Sequence, residues 1–587
     1  MATRKKRPAP SHRPRSEKPV YNVAPVAMDE TEGMANLDAY TPIDPPPPLP
    51  IGIEPPVFRP LQVYAFDPSL GRMPGNVMTI PVRYEKLRPG PVGGRVTVVD
   101  YDASRDCFYD PVDLDDPLIA IRGGLDPSES DPHFHQQMVY AVTCETLRRV
   151  EASVGRTVNR RTPDGSQPLS LIVYPHALRS ANAFALPQEG KLMFGYFRAP
   201  ENALGRTIPG QTVFTCLSHD VVVHTAMHAI INGIRPDLSD NLGVSDVTAV
   251  HEGLCDIAAL LIHFSYRDAV LDTIQRTAGS IHRALLEGDG TAVAPGSALI
   301  QAEVAVANPL LAMGSGFGEA LGKTGGLRSA LGQTPDPSAL QRITEPHERG
   351  GILVAAVFDS FFSIYVARSL DLFNIYRAGG GRLDGGELPA PLAERLFGEV
   401  DAIAARIFNI CIRALDFCPA CSIGLGDFLR ACITADYESA PSDKWGVREA
   451  MMQAFRRRGI KPPSASFYSE DALRWPVVDS TQFKTPGPQF IGLPEPDASS
   501  SEHNQQVLQT FVNENIEALG LRRRVSFDVH PLEVARIAAQ DNDLRVSLCT
   551  RVIQTRQTRG GVEKQSGVSL VFERTGRLRY AINSDPS

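Results

Sequence analysis

Asp220-Val-Val-Val-His224-Thr225-Ala-Met-His228-Ala-Ile-Ile-Asn-Gly233 is the stretch that decides how this chain is read. It is largely apolar around its two histidines. These sit at i and i+4, so a helix presents both on one face, one turn apart. Gly233 and Pro236 supply a stop signal. A second helix is expected to open at Ser245-Asp246 and continue Val-Thr-Ala-Val-His251-Glu252-Gly-Leu-Cys-Asp256-Ile. Glu252 and Asp256 again share a face. Carboxylates inside an apolar helix are costly to bury unpaired, so these two answer either a cation or the histidines. Two neutral imidazoles and one carboxylate form the His₂Glu ligand set of a catalytic zinc, the fourth position being left for water. On that reading His224, His228 and Glu252 are the metal ligands. Asp256 holds a ligand histidine in the right tautomer.

These motifs, Asp220-x-x-x-His224-x-x-x-His228 and then His251-Glu252-Gly-x-x-Asp256-Ile, resemble the zinc core of the thermolysin-like gluzincin metallopeptidases. They resemble more closely an uncharacterised bacterial branch without secretion signals. The resemblance runs over roughly residues 58 to 465 and is strongest from 220 to 264. It implies an α+β, two-lobe fold, a β-rich N-terminal lobe followed by a helical one, with one zinc ion between two helices. It also exposes a departure. The family motif is H-E-x-x-H, whose glutamate is the general base toward the zinc-bound water. Here that position is Thr225, whose hydroxyl is no base near neutral pH.

Other family features match in part. Asn182-Ala183-Phe184 resembles the edge strand that pairs with the substrate backbone, although Asn182 also suits a turn. Gly325-Gly-Leu-Arg328-Ser resembles the segment whose arginine binds the substrate carbonyl, the alternative being a surface arginine. Where the family has Gly-Gly-Val-His, aligning Gly350-Gly351 puts Leu353 in place of the oxyanion histidine. No tyrosine lies between His228 and Glu252 to assist it. His347 is near in sequence and fits either a substitute or a capping or core histidine. At the position of an acidic calcium ligand stands His263, so no tight calcium site is expected.

The remaining sequence sets the surroundings. With 587 residues, 43% hydrophobic and 21% charged, the chain has the composition of a globular protein of several domains. A net charge of −8 argues against nucleic-acid or membrane binding by the folded body. No apolar run reaches the roughly 18 residues of a membrane span. The basic N-terminus has no apolar segment behind it, and nine scattered cysteines make no disulfide framework, so a reduced, cytoplasmic protein is expected. Cys418-Pro-Ala-Cys421 has half the spacing of a zinc site but no second pair, and reads as coincidence.

Along the chain, 1–57 reads as a basic, Pro-rich disordered tail and 58–215 as a β-rich lobe. Residues 216–465 hold the zinc helices and further helices near 352–376, 391–414, 426–437 and 443–458. A Pro/Ser-rich linker (466–504) then leads to an α+β accessory module (505–587) with a helix over 505–519 and four strands. Losing the base and the oxyanion histidine removes two effects. The first is worth about 10² to 10⁴ in rate, and the second adds a similar amount. The expectation is a zinc-binding metallopeptidase homologue with impaired or absent activity, open to a peptide or protein ligand. The alternative is an active hydrolase whose base is His251 or His347, with His219 a further candidate.

Overall fold

In a computed structural model the chain is described over residues 56–583. Residues 72, 163–164, 202, 204–206, 240–244, 278, 280, 282–308, 314–327, 330–333, 382–387, 463, 539–543 and 558–562 are excepted. The basic tail expected over 1–57 therefore lies almost entirely outside the described residues. The class is α+β.

The β-branched runs of the first region form β1 (Phe58–Tyr64) and β2 (Val77–Arg83), paired antiparallel from Phe58 opposite Arg83 to Tyr64 opposite Val77. β3 (Val96–Val98) follows. Next comes α1 (Pro132–Val154), opened by Asp131, whose side chain accepts from the His133 amide, and closed by left-handed Gly155. β4 (Leu171–Leu178), β5 (Ala183–Leu186), β6 (Lys191–Arg198) and β7 (Thr212–Phe214) complete a mixed sheet with β3. Its order is β7-β6-β4-β3, with β5 paired antiparallel to β6 along the same edge as β7. α2 (His219–Ile234) packs between this sheet, α1 and α3 (Ser245–His263), and all but one of its residues are buried.

α4 (Pro346–Ala378) crosses α3 with the two backbones in contact. A Cβ on Gly350 would lie 3.0 Å from the Ala249 carbonyl oxygen, and one on Gly253 3.1 Å from that of Gly350. A larger residue at either position would require the neighbouring backbone to give by a few tenths of an ångström. α4 is also long and apolar enough to cross a membrane, contrary to the expectation that no run would be, and 72% of that window is buried inside the fold. α5 (Ala390–Arg413), α6 (Leu425–Ser439) and α7 (Val447–Arg457) pack against α4 or one another, within two residues of the starts expected for α5 and α6. α7 starts later, at Val447, because Asp443 accepts from the Val447 and Arg448 amides and caps it from a turn.

α8 (Ala498–Glu514) begins seven residues before Gln505. Its cap is Asp497, which accepts from the Ser500 amide at 2.7 Å, ahead of a serine run that reads as linker. β8 (Phe527–Val529), β9 (Glu533–Ala538), β10 (Leu544–Gln557), β11 (Glu563–Glu573) and β12 (Leu578–Asn583) form an antiparallel sheet against α8. They have their own core of Leu508, Phe511, Val552, Leu570 and Phe572. The 466–504 stretch is packed onto both cores. Leu473 and Trp475 enter the main one, and Phe483, Phe490 and Leu493 the C-terminal one.

Buried ions join the C-terminal sheet to the end of α2. Arg551 donates to the Ile234 carbonyl at 3.0 Å and lies 3.3 Å from Asp237. Arg156 binds Asp416 through both terminal nitrogens at 2.7 Å and reaches Glu533 at 2.5 Å. Arg235, wholly buried, donates to the Leu415 and Pro419 carbonyls. Cys418 and Cys421 lie beside this joint, and no group of metal-ligating side chains among the described residues includes them.

Candidate metal centre

His224 and His228 project from α2 toward Glu252 and Asp256 on α3, as the doubled i, i+4 spacing requires. His224 Nε2 lies 3.1 Å from His228 Nε2 and 3.5 Å from Glu252 Oε2, and His228 Nε2 lies 3.8 Å from Glu252 Oε1. Donors bound tetrahedrally at about 2.0 to 2.2 Å are separated by about 3.3 to 3.6 Å. The three observed separations straddle that range, so one ion fits among these atoms. Asp256 Oδ1 is 2.7 Å from His224 Nδ1. The carboxylate is thus placed where it can hold a proton on Nδ1, which would turn the Nε2 lone pair toward Glu252 and His228. The side chains are 1–5% exposed, so the carboxylates are not neutralised by bulk water.

Thr225 is wholly buried, and its hydroxyl donates to the Val221 carbonyl at 2.7 Å. The only polar atom at the general-base position is thus spent on the helix itself. Leu353 is fully buried against Gly253, next to Glu252 in the chain.

Two histidines offered as substitute bases reach the centre in different ways. His251 stacks on His228, with centroids 4.9 Å apart at 19°, and neither of its ring nitrogens has a hydrogen-bond partner among the described residues. Burial, followed by the charge of His224, pulls its pKa down to about 4, so the ring is neutral. With Cys255, whose Sγ is 3.8 Å from His228 Nδ1, it forms a second potential ligand set that shares His228. His347 sits in the first turn of α4, with Nδ1 2.7 Å from Glu345 and Nε2 3.7 Å from Glu252 Oε2. Its side chain is 19% exposed, so it is no core histidine. The sequence signal for this placement is Gly350, which lets α4 touch α3 one residue from Glu252.

Other expected site residues lie apart. Asn182 immediately precedes β5; its side chain accepts from the Ala183 amide at 2.9 Å and its carbonyl from the Gly195 amide at 2.9 Å. Ala183 starts β5, an edge strand packed on α2. Arg328 pairs with Met313 through the backbone only. Its side chain, and Gly325 to Leu327, lie outside the described residues. His219 is buried against the Tyr266 hydroxyl, and burial, with His263 and Arg149 adding to it, pulls its pKa well down. His263 is bonded to Asp220. The sequence reading missed this Asp220–His263 pair, although it quoted both residues.

No family model matches the chain, and no curated protein matches it in sequence.

Proposed function

We propose that this is a metal-binding protein of thermolysin-like, two-lobe architecture, holding one zinc ion at His224, His228 and Glu252, with impaired or absent peptidase activity. The reading is carried by one observation: the ligand set converges with Asp256 behind it, while the Thr225 hydroxyl is bonded to the Val221 carbonyl. Bound zinc would supply Lewis acidity and a water of pKa near about 7. The chain's own residues do the rest. Asp256 keeps the proton on His224 Nδ1, and Glu252 supplies a negative ligand. Thr225 has no basic atom with which to take a proton, which withholds the roughly 10² to 10⁴ of general-base help. Among the described residues β5 pairs only with β6, so its other edge is where an extended peptide could add as a strand. Nine cysteines with no disulfide among them fit a reducing, cytoplasmic setting.

A second reading, a hydrolase with a displaced base, is favoured by His347 rather than His251. His347 alone of the two is both partly exposed and near a Glu252 oxygen. Metal content and casein hydrolysis of the purified full chain test both readings. A zinc content lower by one equivalent in His224→Ala than in wild type, with hydrolysis near background, is the expected result. Turnover at an ordinary enzyme rate, about 1 to 10³ per second, overturns impaired activity. Absence of zinc from a folded, zinc-exposed protein overturns the site.

A further inference from the structure

A second cluster repeats the logic of the first in the β-rich region. His135 comes from α1, His176 from β4 and Cys216 from the turn Thr215–Leu217 that feeds α2. All three are buried, and one ligand atom from each lies within 4.8 Å of the others. Asp100 Oδ1 is 2.7 Å from His176 Nδ1, and Gln136 holds its other oxygen at 2.8 Å. His176 Nε2 therefore carries a lone pair, and it faces His135 Nδ1 at 2.8 Å. With both rings neutral and no ion, His135 donates its Nδ1 proton to His176. That leaves His135 Nε2 a bare acceptor, buried and with no hydrogen-bond partner among the described residues. The backbone of Glu129 and Ser128 is near enough to this ring to favour its protonated form, against the larger effects of burial and His176. An ion bound by Nδ1 and by His176 Nε2 resolves the conflict, because the proton then moves to Nε2. Phe214 and Tyr109 close the cluster, with centroids 4.6 Å from His135 and 4.9 Å from His176 respectively.

We propose that His135, His176 and Cys216 bind a zinc ion as a structural clamp, with Asp100 orienting His176. The donor set is two imidazoles and one thiol, which suits zinc or copper(I). Charge selects between them. Binding zinc(II) releases the Cys216 proton, and the ion, thiolate and Asp100 carboxylate then sum to zero in a site sealed by aromatic rings. Copper(I) would leave a net negative charge there, which burial penalises. The clamp ties α1 and β4 to the turn that positions α2, and so to the helix carrying His224 and His228.

The test is cobalt(II) substitution in the full chain, read by the thiolate-to-cobalt charge-transfer band in the near ultraviolet. The first site contributes only nitrogen and oxygen ligands, so the band reports the second. Expected is a band that persists in His224→Ala and in Cys255→Ser and vanishes in Cys216→Ser and in His176→Gln. Zinc stoichiometry should fall from two per chain to one in Cys216→Ser. A wild type that shows no band overturns the proposal without any variant, so a misfolded mutant cannot hide the answer. A band lost only in Cys255→Ser assigns the thiolate to the His228, His251 and Cys255 group instead. If wild type binds one zinc, abolished by His224→Ala, the second cluster is a metal-free Asp100–His176–His135 relay and the proposal is wrong. Failure of the first site alone would leave the band in place.

Discussion

Replacing Asp256 with asparagine tests the metal centre at a residue that touches no metal. Asp256 lies 2.7 Å from His224 Nδ1, and both side chains are 1–2% exposed, so no solvent can take over the contact. The amide oxygen of asparagine can still accept that proton, but it lacks the charge that raises the basicity of the imidazole. It can also flip and offer an NH₂, which would force the wrong tautomer. Loss of such an outer partner costs 10- to 100-fold in metal affinity, about 1.4 to 2.8 kcal/mol. Glu252→Gln removes both a ligand and its charge, and should cost more than 100-fold. The assay is zinc competition with a chromophoric chelator, carried out in a Cys216→Ser background so that one site is titrated. Circular dichroism checks that each variant is folded. An Asp256→Asn protein that binds zinc within threefold of its parent would refute the argument. His224 would then need no carboxylate, and the 2.7 Å contact would be incidental to binding.

Thr225→Glu should raise casein hydrolysis at least tenfold, and unchanged turnover in a zinc-loaded variant would show that the base is not what limits the chain. Adding Leu353→His should help less than family logic suggests, because Leu353 is wholly buried, and a lowered melting temperature checks this. His347→Ala should remove any residual hydrolysis while leaving zinc bound, whereas His251→Ala should not. Asp237→Ala strands Arg235 and Arg551 and should destabilise the fold by about 3 to 5 kcal/mol, read by chemical denaturation. The same aspartate fixes an acid limit. Burial pushes its carboxyl up, but Arg235 and then Arg551 outweigh this and hold it well below the usual range. A lowered folded value means stability that is present above the unfolded value of about 3.9 and lost as pH falls below it. The aspartate's share should therefore hold from pH 7 to 5 and be lost below about 4, on top of a decline that starts as pH falls below about 6.5, where the buried neutral rings of His219 and His251 resist the protonation that the unfolded chain accepts; a protein as stable at pH 3 as at pH 6 would contradict both.

The cluster at the candidate metal centre was legible because its signal is local. Two i, i+4 pairs on apolar helices fix four side chains without any knowledge of the sheet. His347 was ambiguous because its role depends on a helix crossing. Nothing in Glu345-Pro-His347 says that Gly350 meets Gly253. The second cluster was missed for a related reason. His135, His176 and Cys216 lie on three separate elements, and Asp131-Pro-His-Phe-His reads only as a helix start. The C-terminal module's strands were visible as alternation, although β9 escaped and the serine-rich start of α8 passed for linker. The Arg551–Asp237 joint that fastens this module had no local signature at all.

Thr225 and the ligands bear on each other through charge. Glu252 and Asp256 are 2% exposed, and the two histidines facing them are neutral imidazoles when they act as ligands. The centre then carries two buried negative charges that a divalent ion cancels. Asp100 and the Cys216 thiolate make the same sum in the proposed second site. A base glutamate at position 225 would add a third negative charge inside a helix whose neighbours leave Thr225 no exposure. On the proposed function, its absence would weaken catalysis but also leave a zinc-bound cluster neutral. That neutrality suits an ion that holds α2 against α3, whether or not any substrate reaches it. On this argument the histidines and carboxylates serve the fold first, and hydrolysis is the function the same geometry can lose without coming apart.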